Sequence, residues 1–259
     1  MGRYVLEDEI ARGAMGVVYR AVDPSVGRKV ALKRLLSDEP RLVHMFEREF
    51  HALRSLQHPR IIEVFEYGVT PSGAYYSMEL LDGADLRELA PLPFPKACKY
   101  LRDVASSLGL LHARRMLHRD ISPRNVRVTS DDRAKLIDFG GMTPFGIPEV
   151  VMGTPPCVPP EALHHTALDQ RSDLYALGAL AYYLLTGRYA YPAREFSQLR
   201  EIWEHAPARP SDVVTALKLD LPPIPAALDN LVMSSLTPPS RPSGCRRPGS
   251  TKRSRKTRP

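Results

Sequence analysis

A change of hydrophobic period near residue 81 constrains this chain more than any other feature. Before it, residues 4 to 35 alternate apolar and polar, with turns at Arg12-Gly13 and Asp23-Pro24-Ser25-Val26-Gly27, which predicts hairpin-linked strands. One helix interrupts them: Val43, Phe46, Phe50 and Leu53 recur at helical spacing, and His58-Pro59 closes the run. Ile61 to Val69 and Ala74 to Leu80 predict two more strands around Thr70-Pro71-Ser72-Gly73, and Leu81-Asp82-Gly83 reads as a connector. Beyond it the period is helical over Pro95 to Ala113, over Arg171 to Thr186 with Gly187 as its stop, and over Ala226 to Leu236. A short hairpin, Val126 to Val128 and Ala134 to Ile137 around Ser130-Asp131-Asp132, breaks the helical part. The fold class is therefore α+β: a small antiparallel sheet lobe with one helix, then a larger, mainly helical lobe. A ligand cleft is expected where they meet, near residues 80 to 85.

Composition matters mainly for what it excludes. With 259 residues, 43% of them hydrophobic, the chain buries a substantial core and is not disordered by default. Its formal charge of +7 suggests an acidic partner until the charges are located. From Gly244 onward the chain carries seven Lys or Arg residues and no acid, so the remainder is neutral. Residues 244–259 lack apolar periodicity and read as a basic, solvated tail. We expect no nucleic-acid partner from it, and a truncated or frame-shifted end explains it as well as a functional one. The three cysteines, Cys98, Cys157 and Cys245, show no metal or redox spacing, which fits a reducing compartment. The apolar run Leu174 to Leu185 is too short to span a bilayer, and no signal-peptide pattern opens the chain. The expected location is cytoplasmic. Nothing in the sequence bears on oligomeric state.

The candidate chemistry begins at Ile10-Ala11-Arg12-Gly13-Ala14-Met15-Gly16-Val17-Val18, a turn between two strands whose glycines let backbone N–H groups approach phosphate oxygens. A glycine turn alone is equally a plain hairpin. In Val30-Ala31-Leu32-Lys33, alternation puts Lys33 on the same face as Ala31, whose small side chain leaves room for a planar base while the lysine reaches phosphates. Glu47 and Glu49, each about 80° from the centre of the apolar stripe of the next helix, are both candidate partners for Lys33, and periodicity does not choose between them. The densest set of polar groups is His118-Arg119-Asp120-Ile121-Ser122-Pro123-Arg124-Asn125, followed after the hairpin by Asp138-Phe139-Gly140. Asp138 and Asn125 follow separate strands, so their oxygens can converge on Mg²⁺, which prefers hard oxygen ligands. Asp120 supplies a carboxylate to orient an acceptor hydroxyl and take its proton.

These motifs, in this order, resemble a protein kinase, specifically the eukaryotic-like serine/threonine kinases of bacteria. Gly153-Thr154-Pro155 leading to Pro159-Pro160-Glu161, Ser172-Asp173-Leu174-Tyr175-Ala176-Leu177-Gly178 and Arg241-Pro242-Ser243 extend the resemblance over residues 4–243, with lobes at about 4–80 and 82–243. The resemblance implies Mg-ATP as phosphoryl donor and a protein substrate as acceptor. Autophosphorylation is also implied. It assigns Glu49 to Lys33, makes Met78 the gatekeeper of the adenine pocket, and makes Glu79 to Leu81 the hinge that binds the base. It also implies a Glu161–Arg241 ion pair under the substrate loop, and Asp173 as the holder of the catalytic-loop backbone.

The chain departs from the family at several positions. Ala11 replaces the first glycine of the loop. Ser122 stands where serine/threonine kinases carry a lysine that steadies the γ-phosphate, and Arg124, placed as an arginine is in many receptor-type tyrosine kinases, is its expected substitute. Thr154 favours Ser/Thr over Tyr as acceptor, while Cys157 and Pro159 replace the usual tyrosine and alanine of the peptide loop. Between Gly140 and Gly153 the only hydroxyl is Thr143, so activation by phosphate falls to Thr143 or Thr154, paired with Arg119. The alternative is a pseudokinase that binds ATP with weak or no transfer, against which stand Lys33, Glu49, Asp120, Asn125 and Asp138. Small-molecule phosphotransferases of related core generally lack the Gly-Thr-Pro to Pro-Glu segment.

Overall fold

A computed structural model describes residues 1–13, 16–164 and 166–237. Strands β1 (Val5–Arg12), β2 (Gly16–Asp23), β3 (Arg28–Leu35), β4 (Val64–Thr70) and β5 (Gly73–Glu79) form one antiparallel sheet in the order β1-β2-β3-β5-β4. Helix α1 (Pro40–Ser55) crosses it between β3 and β4. The large lobe contains α2 (Leu86–Leu89), α3 (Phe94–Ala113), β6 (Met116–Leu117), β7 (Val126–Val128), β8 (Ala134–Leu136), β9 (Thr143–Pro144) and α4 (Pro160–Leu163). It continues with α5 (Gln170–Thr186), α6 (Leu199–Ile202), α7 (Pro210–Ala216) and α8 (Ala226–Ser235). The expected α+β, two-lobed arrangement is the one observed.

Alternation along the strands sorts the sheet's two faces. Val30 and Leu32 of β3, both without exposed surface, join Tyr4, Ala21 and Tyr75 in a small outer cluster. Their neighbours Ala31 and Lys33 point the other way, opposite Met78 and Tyr76 of β5. On that inner side α1 lays down Phe46, Phe50 and Leu53, and the Phe46 ring stacks 4.9 Å from Tyr76. Pro40 at the first helical position has no N–H to leave unpaired, which suits it to start α1.

β4 starts at Val64 rather than at Ile61. Ile61 and Ile62 leave the small sheet because the large lobe claims their backbone: Ile62 N–H donates to the Leu136 carbonyl (3.0 Å) and Leu136 N–H to that of Arg60 (2.9 Å). Arg60 adds an ion pair with Asp103 of α3 at 3.4 Å. The lobes are thus joined here as well as at the connector after β5. α5 is the axis of the large lobe. Leu180, Leu184 and Leu185 expose at most 1% of their surface, and each buried Leu contributes about 1.5–3 kcal/mol. Packing of α3 and α8 on α5 accounts for a helix apolar on nearly all sides.

In the connector, Gly83 lies against the β7 end: a Cβ built there would sit 1.3 Å from the Val128 carbonyl oxygen. No side chain fits without parting the connector from the hairpin. Gly83→Ala should therefore lower stability by about 2 kcal/mol or more in urea denaturation; a cost under about 0.5 kcal/mol would show that the connector moves freely away from β7.

Candidate active site

The cleft between the lobes gathers the polar residues that the sequence scatters. Lys33 Nζ lies 2.9 Å from Glu49 Oε1 and 3.4 Å from Asp138 Oδ1. Between the two candidate glutamates the structure selects Glu49, which is 8% exposed, while Glu47 turns toward His51. Tyr76 donates its hydroxyl to the same Glu49 oxygen at 3.0 Å. Strand alternation offered a signal for Tyr76, since it shares the Met78 face, but no motif marks it.

Burial alone would lower the Lys33 pKa, yet the groups facing it, Tyr76, then Glu49 and Asp138, hold it well above its ordinary value. Reciprocally, the Lys33 charge, aided by the Gly140 N–H, holds the Asp138 carboxyl below the ordinary range. Phe139, 1% exposed, packs edge-on to the His118 ring at 4.7 Å, and this anchoring turns Asp138 toward the cleft.

Asp120 is held from both sides. Its Oδ2 accepts from Asn125 Nδ2 at 2.8 Å, and its Oδ1 accepts from both the backbone N–H and the hydroxyl of Thr154, each at 2.8 Å. Gly153 makes the second approach feasible: it adopts φ +112°, and a Cβ there would meet the Arg119 carbonyl oxygen at 2.6 Å. Behind this loop Asp173 of α5, fully buried, accepts from the backbone N–H of His118 (3.0 Å) and Arg119 (2.9 Å). His112 Nε2 lies 2.9 Å from the same carboxylate. Sequence reasoning missed His112, which lies outside the motifs on α3 and meets Asp173 only through packing.

The remaining candidates take varied places. Met78 is 7% exposed in β5, Leu81 lies in the connector, and the Glu79 carboxylate accepts from the Glu63 N–H (2.8 Å) and from Lys135 Nζ (2.7 Å). In the glycine turn, Gly13 N–H donates to the Gly16 carbonyl at 2.9 Å, and Ile10, Ala11 and Arg12 are exposed, Arg12 pairing with Glu9. Val18 stands opposite Lys33 and so borders the cleft. Val17 stands opposite Arg34, its side chain on the outer face, so only its backbone is available to a cleft ligand. Ser122 has no exposed surface and its hydroxyl has no partner among the described residues, so it presents nothing to a phosphate, whereas Arg124 is exposed. Thr143 lies in β9 opposite Leu117, and Arg119 donates to the Val150 carbonyl. Ala14, Met15, Arg241 and the tail 244–259 with Cys245 lie outside the described residues; Glu161 accepts from Ser172 Oγ at 3.0 Å.

For a cation, the chemistry of the donors is suitable. The Ile137 N–H donates to the Asn125 carbonyl at 3.0 Å, which sets Asn125 and Asp138 side by side, and their side-chain oxygens are the hard ligands Mg²⁺ takes. Among the described residues no group of three or more His, Cys, Asp or Glu gathers to hold a metal. Two protein oxygens are a Mg²⁺ arrangement in which water and phosphate complete the shell.

A two-lobed fold whose cleft holds a charge-paired lysine, a doubly anchored aspartate and an Asn/Asp oxygen pair defines a class of nucleotide-dependent phosphotransferase. The family model described as "Protein kinase domain" matches residues 4–225, and this chain belongs to that family. It is 34% identical over 251 residues to serine/threonine-protein kinase Pkn1 of Myxococcus xanthus, covering 91% of this chain and 35% of the relative. To PknE of Mycobacterium tuberculosis it is 33% identical over 246 residues, covering 89% of this chain and 42% of the relative. To PksC of Streptomyces coelicolor it is 34% identical over 263 residues, covering 91% and 45%. The chain spans less than half the length of these relatives. No described helix is long and apolar enough to cross a membrane.

The lowered Asp138 pKa makes its charge a source of stability that is complete above the unfolded value of 3.8 and is lost as the pH falls through the native value. Asp138→Asn should be less stable than the wild type at neutral pH, and the gap should close as the pH drops below about 4. A gap that stays constant in urea titrations down to about pH 3 would contradict the pairing with Lys33.

Proposed function

We propose that this chain transfers the γ-phosphoryl group of Mg-ATP to Ser or Thr hydroxyls of protein substrates. The single observation that carries this reading is the Asp120 carboxylate, held between Asn125 and Thr154 at the mouth of the cleft that contains Lys33 and Asp138. The acceptor O–H gives its proton to Asp120 while its oxygen forms the new bond to the γ-phosphorus; the bond from that phosphorus to the β–γ bridging oxygen breaks, and ADP leaves with the electron pair. Lys33, kept charged by Glu49, holds the α and β phosphates, and Met78, Ala31 and the backbone of Glu79 to Leu81 border the adenine. Ile10 to Val18 would close over the phosphates. Asn125 and Asp138 would hold Mg²⁺, which when bound offsets the charge of the phosphate oxygens.

The Ser/Thr preference rests on Thr154, whose hydroxyl bonds Asp120, and on the names of the relatives. With Ser122 buried, we assign the missing lysine's charge to Arg124, exposed one residue before Asn125. We take the catalytic domain as residues 4–243, since α8 packs on α5 beyond the family match. The cytoplasm is the compartment we infer, in keeping with Cys98 and Cys157, which are unbridged.

Asp120→Asn should lower phosphotransfer at least about 100-fold while Mg-dependent ATP affinity stays near wild type. Equal incorporation of label by the two proteins would reject Asp120 as the catalytic group. Arg124→Ala should slow transfer about tenfold at saturating ATP and peptide, and an unchanged rate would remove Arg124 from this role.

A further inference from the structure

Tyr76 belongs to the cleft wall, yet with 1% of its surface exposed it is out of reach of nucleotide and peptide. Its place in the sheet puts it between two neighbours: it stands opposite Lys33 of β3 and opposite Tyr67 of β4, and residues paired in this way point to the same face. Lys33 Nζ accordingly lies 5.6 Å from the centre of the Tyr76 ring. Helix α1 adds Phe46, stacked on that ring at 4.9 Å, and Phe50 at 5.9 Å. Within this apolar packing the phenol hydroxyl is the polar end, and it donates to Glu49 Oε1 at 3.0 Å. The same oxygen accepts from Lys33 Nζ at 2.9 Å.

The two donors are not equivalent. Lys33 is a flexible side chain whose ammonium is shared, since Asp138 Oδ1 lies 3.4 Å away and phosphate oxygens would compete for its remaining N–H groups. The Tyr76 ring is gripped by aromatic neighbours and has two side-chain torsions, so its hydroxyl marks a fixed point. Burial and the facing Glu49 carboxylate hold the phenol pKa well above its ordinary value, so the hydroxyl keeps its proton at neutral pH and donates. Glu49 stands on α1. An outward shift of that helix would take the acceptor away and leave the hydroxyl buried without a partner, which costs more than losing a contact that water can replace.

Building on the kinase reading, we propose that Tyr76 is a positioning residue for phosphoryl transfer: its hydroxyl fixes the Glu49 carboxylate, and through it the Lys33 ammonium, and so holds α1 in the transfer-competent place. The lysine helps only where its ammonium meets the phosphate oxygens, so loosening its partner lowers the use of ATP and leaves recognition of the acceptor protein alone. Loss of one hydrogen bond to a charged acceptor corresponds to about a tenfold change.

The test is a double-mutant cycle on the full chain, read as kcat/KM for ATP at a saturating concentration of a generic basic protein as acceptor. Tyr76→Phe keeps the ring and removes the hydroxyl. It should lower kcat/KM for ATP about tenfold and leave KM for the acceptor within about twofold of wild type. In a Glu49→Ala background the same substitution should cost less than about twofold, because the group through which Tyr76 acts is gone. Mg-dependent ATP affinity of the same four proteins should show the same pattern, which keeps the comparison usable where Glu49→Ala transfers too slowly to follow. Tyr67→Phe removes a hydroxyl from the same aromatic cluster, on the ring opposite Tyr76, and should keep the wild-type kcat/KM. A Tyr76→Phe protein that works at wild-type efficiency or does not fold, an equal loss in the Glu49→Ala background, or the same loss from Tyr67→Phe would each overturn the assignment. Wild-type protein showing neither transfer nor Mg-dependent ATP binding would instead overturn the kinase reading on which it rests.

Discussion

A carboxylate with no exposed surface sits at the centre of the large lobe, and the geometry of the cleft depends on it. Asp173 is carried by α5, the helix on which α3 and α8 pack, so its position is as rigid as the core itself. A buried charge of this kind is tolerated only when its oxygens are bonded, and here the donors are the backbone N–H groups of His118 and Arg119 with His112 alongside. That demand fixes the turn in which Arg119 adopts φ +68°, and from that turn Asp120 and, five residues on, Asn125 take their places. The core thus positions the chemistry through a single buried carboxylate.

The small lobe supplies its part of the site by a different route. Lys33 stands on a strand whose alternate residues fill the outer cluster, so its register is pinned by Val30 and Leu32. Glu49 stands on α1, whose burial of Phe46, Phe50 and Leu53 against the sheet turns that carboxylate inward. The lysine's charge is kept by the acids it faces, and one of them, Asp138, comes from the other lobe. Electrostatic pairing across the cleft therefore registers the two lobes against each other. The junctions at Gly83 and at Arg60 to Ile62 limit how far they part.

Much of this was written in the chain order. Alternation and helical spacing located the five strands of the small lobe, α1, α3, α5, α8 and the β7–β8 hairpin. The order of the polar motifs pointed to phosphoryl transfer. What local pattern missed were elements without a period of their own. The two-residue strands β6 and β9 exist because distant segments meet, and Ile61 left its expected strand because Leu136 offered a competing partner.

The sequence by itself determined the α+β class, the two lobes and the list of candidate groups, because hydrophobic period and turn chemistry are local properties. Tertiary structure alone decided which of those groups meet. Glu49 rather than Glu47 reaches Lys33, Val17 shows the cleft only its backbone, Ser122 is buried, and Arg124 is exposed. Each of these depends on packing between residues far apart in the chain, and contacts of that range leave no mark on the local pattern from which a sequence is read.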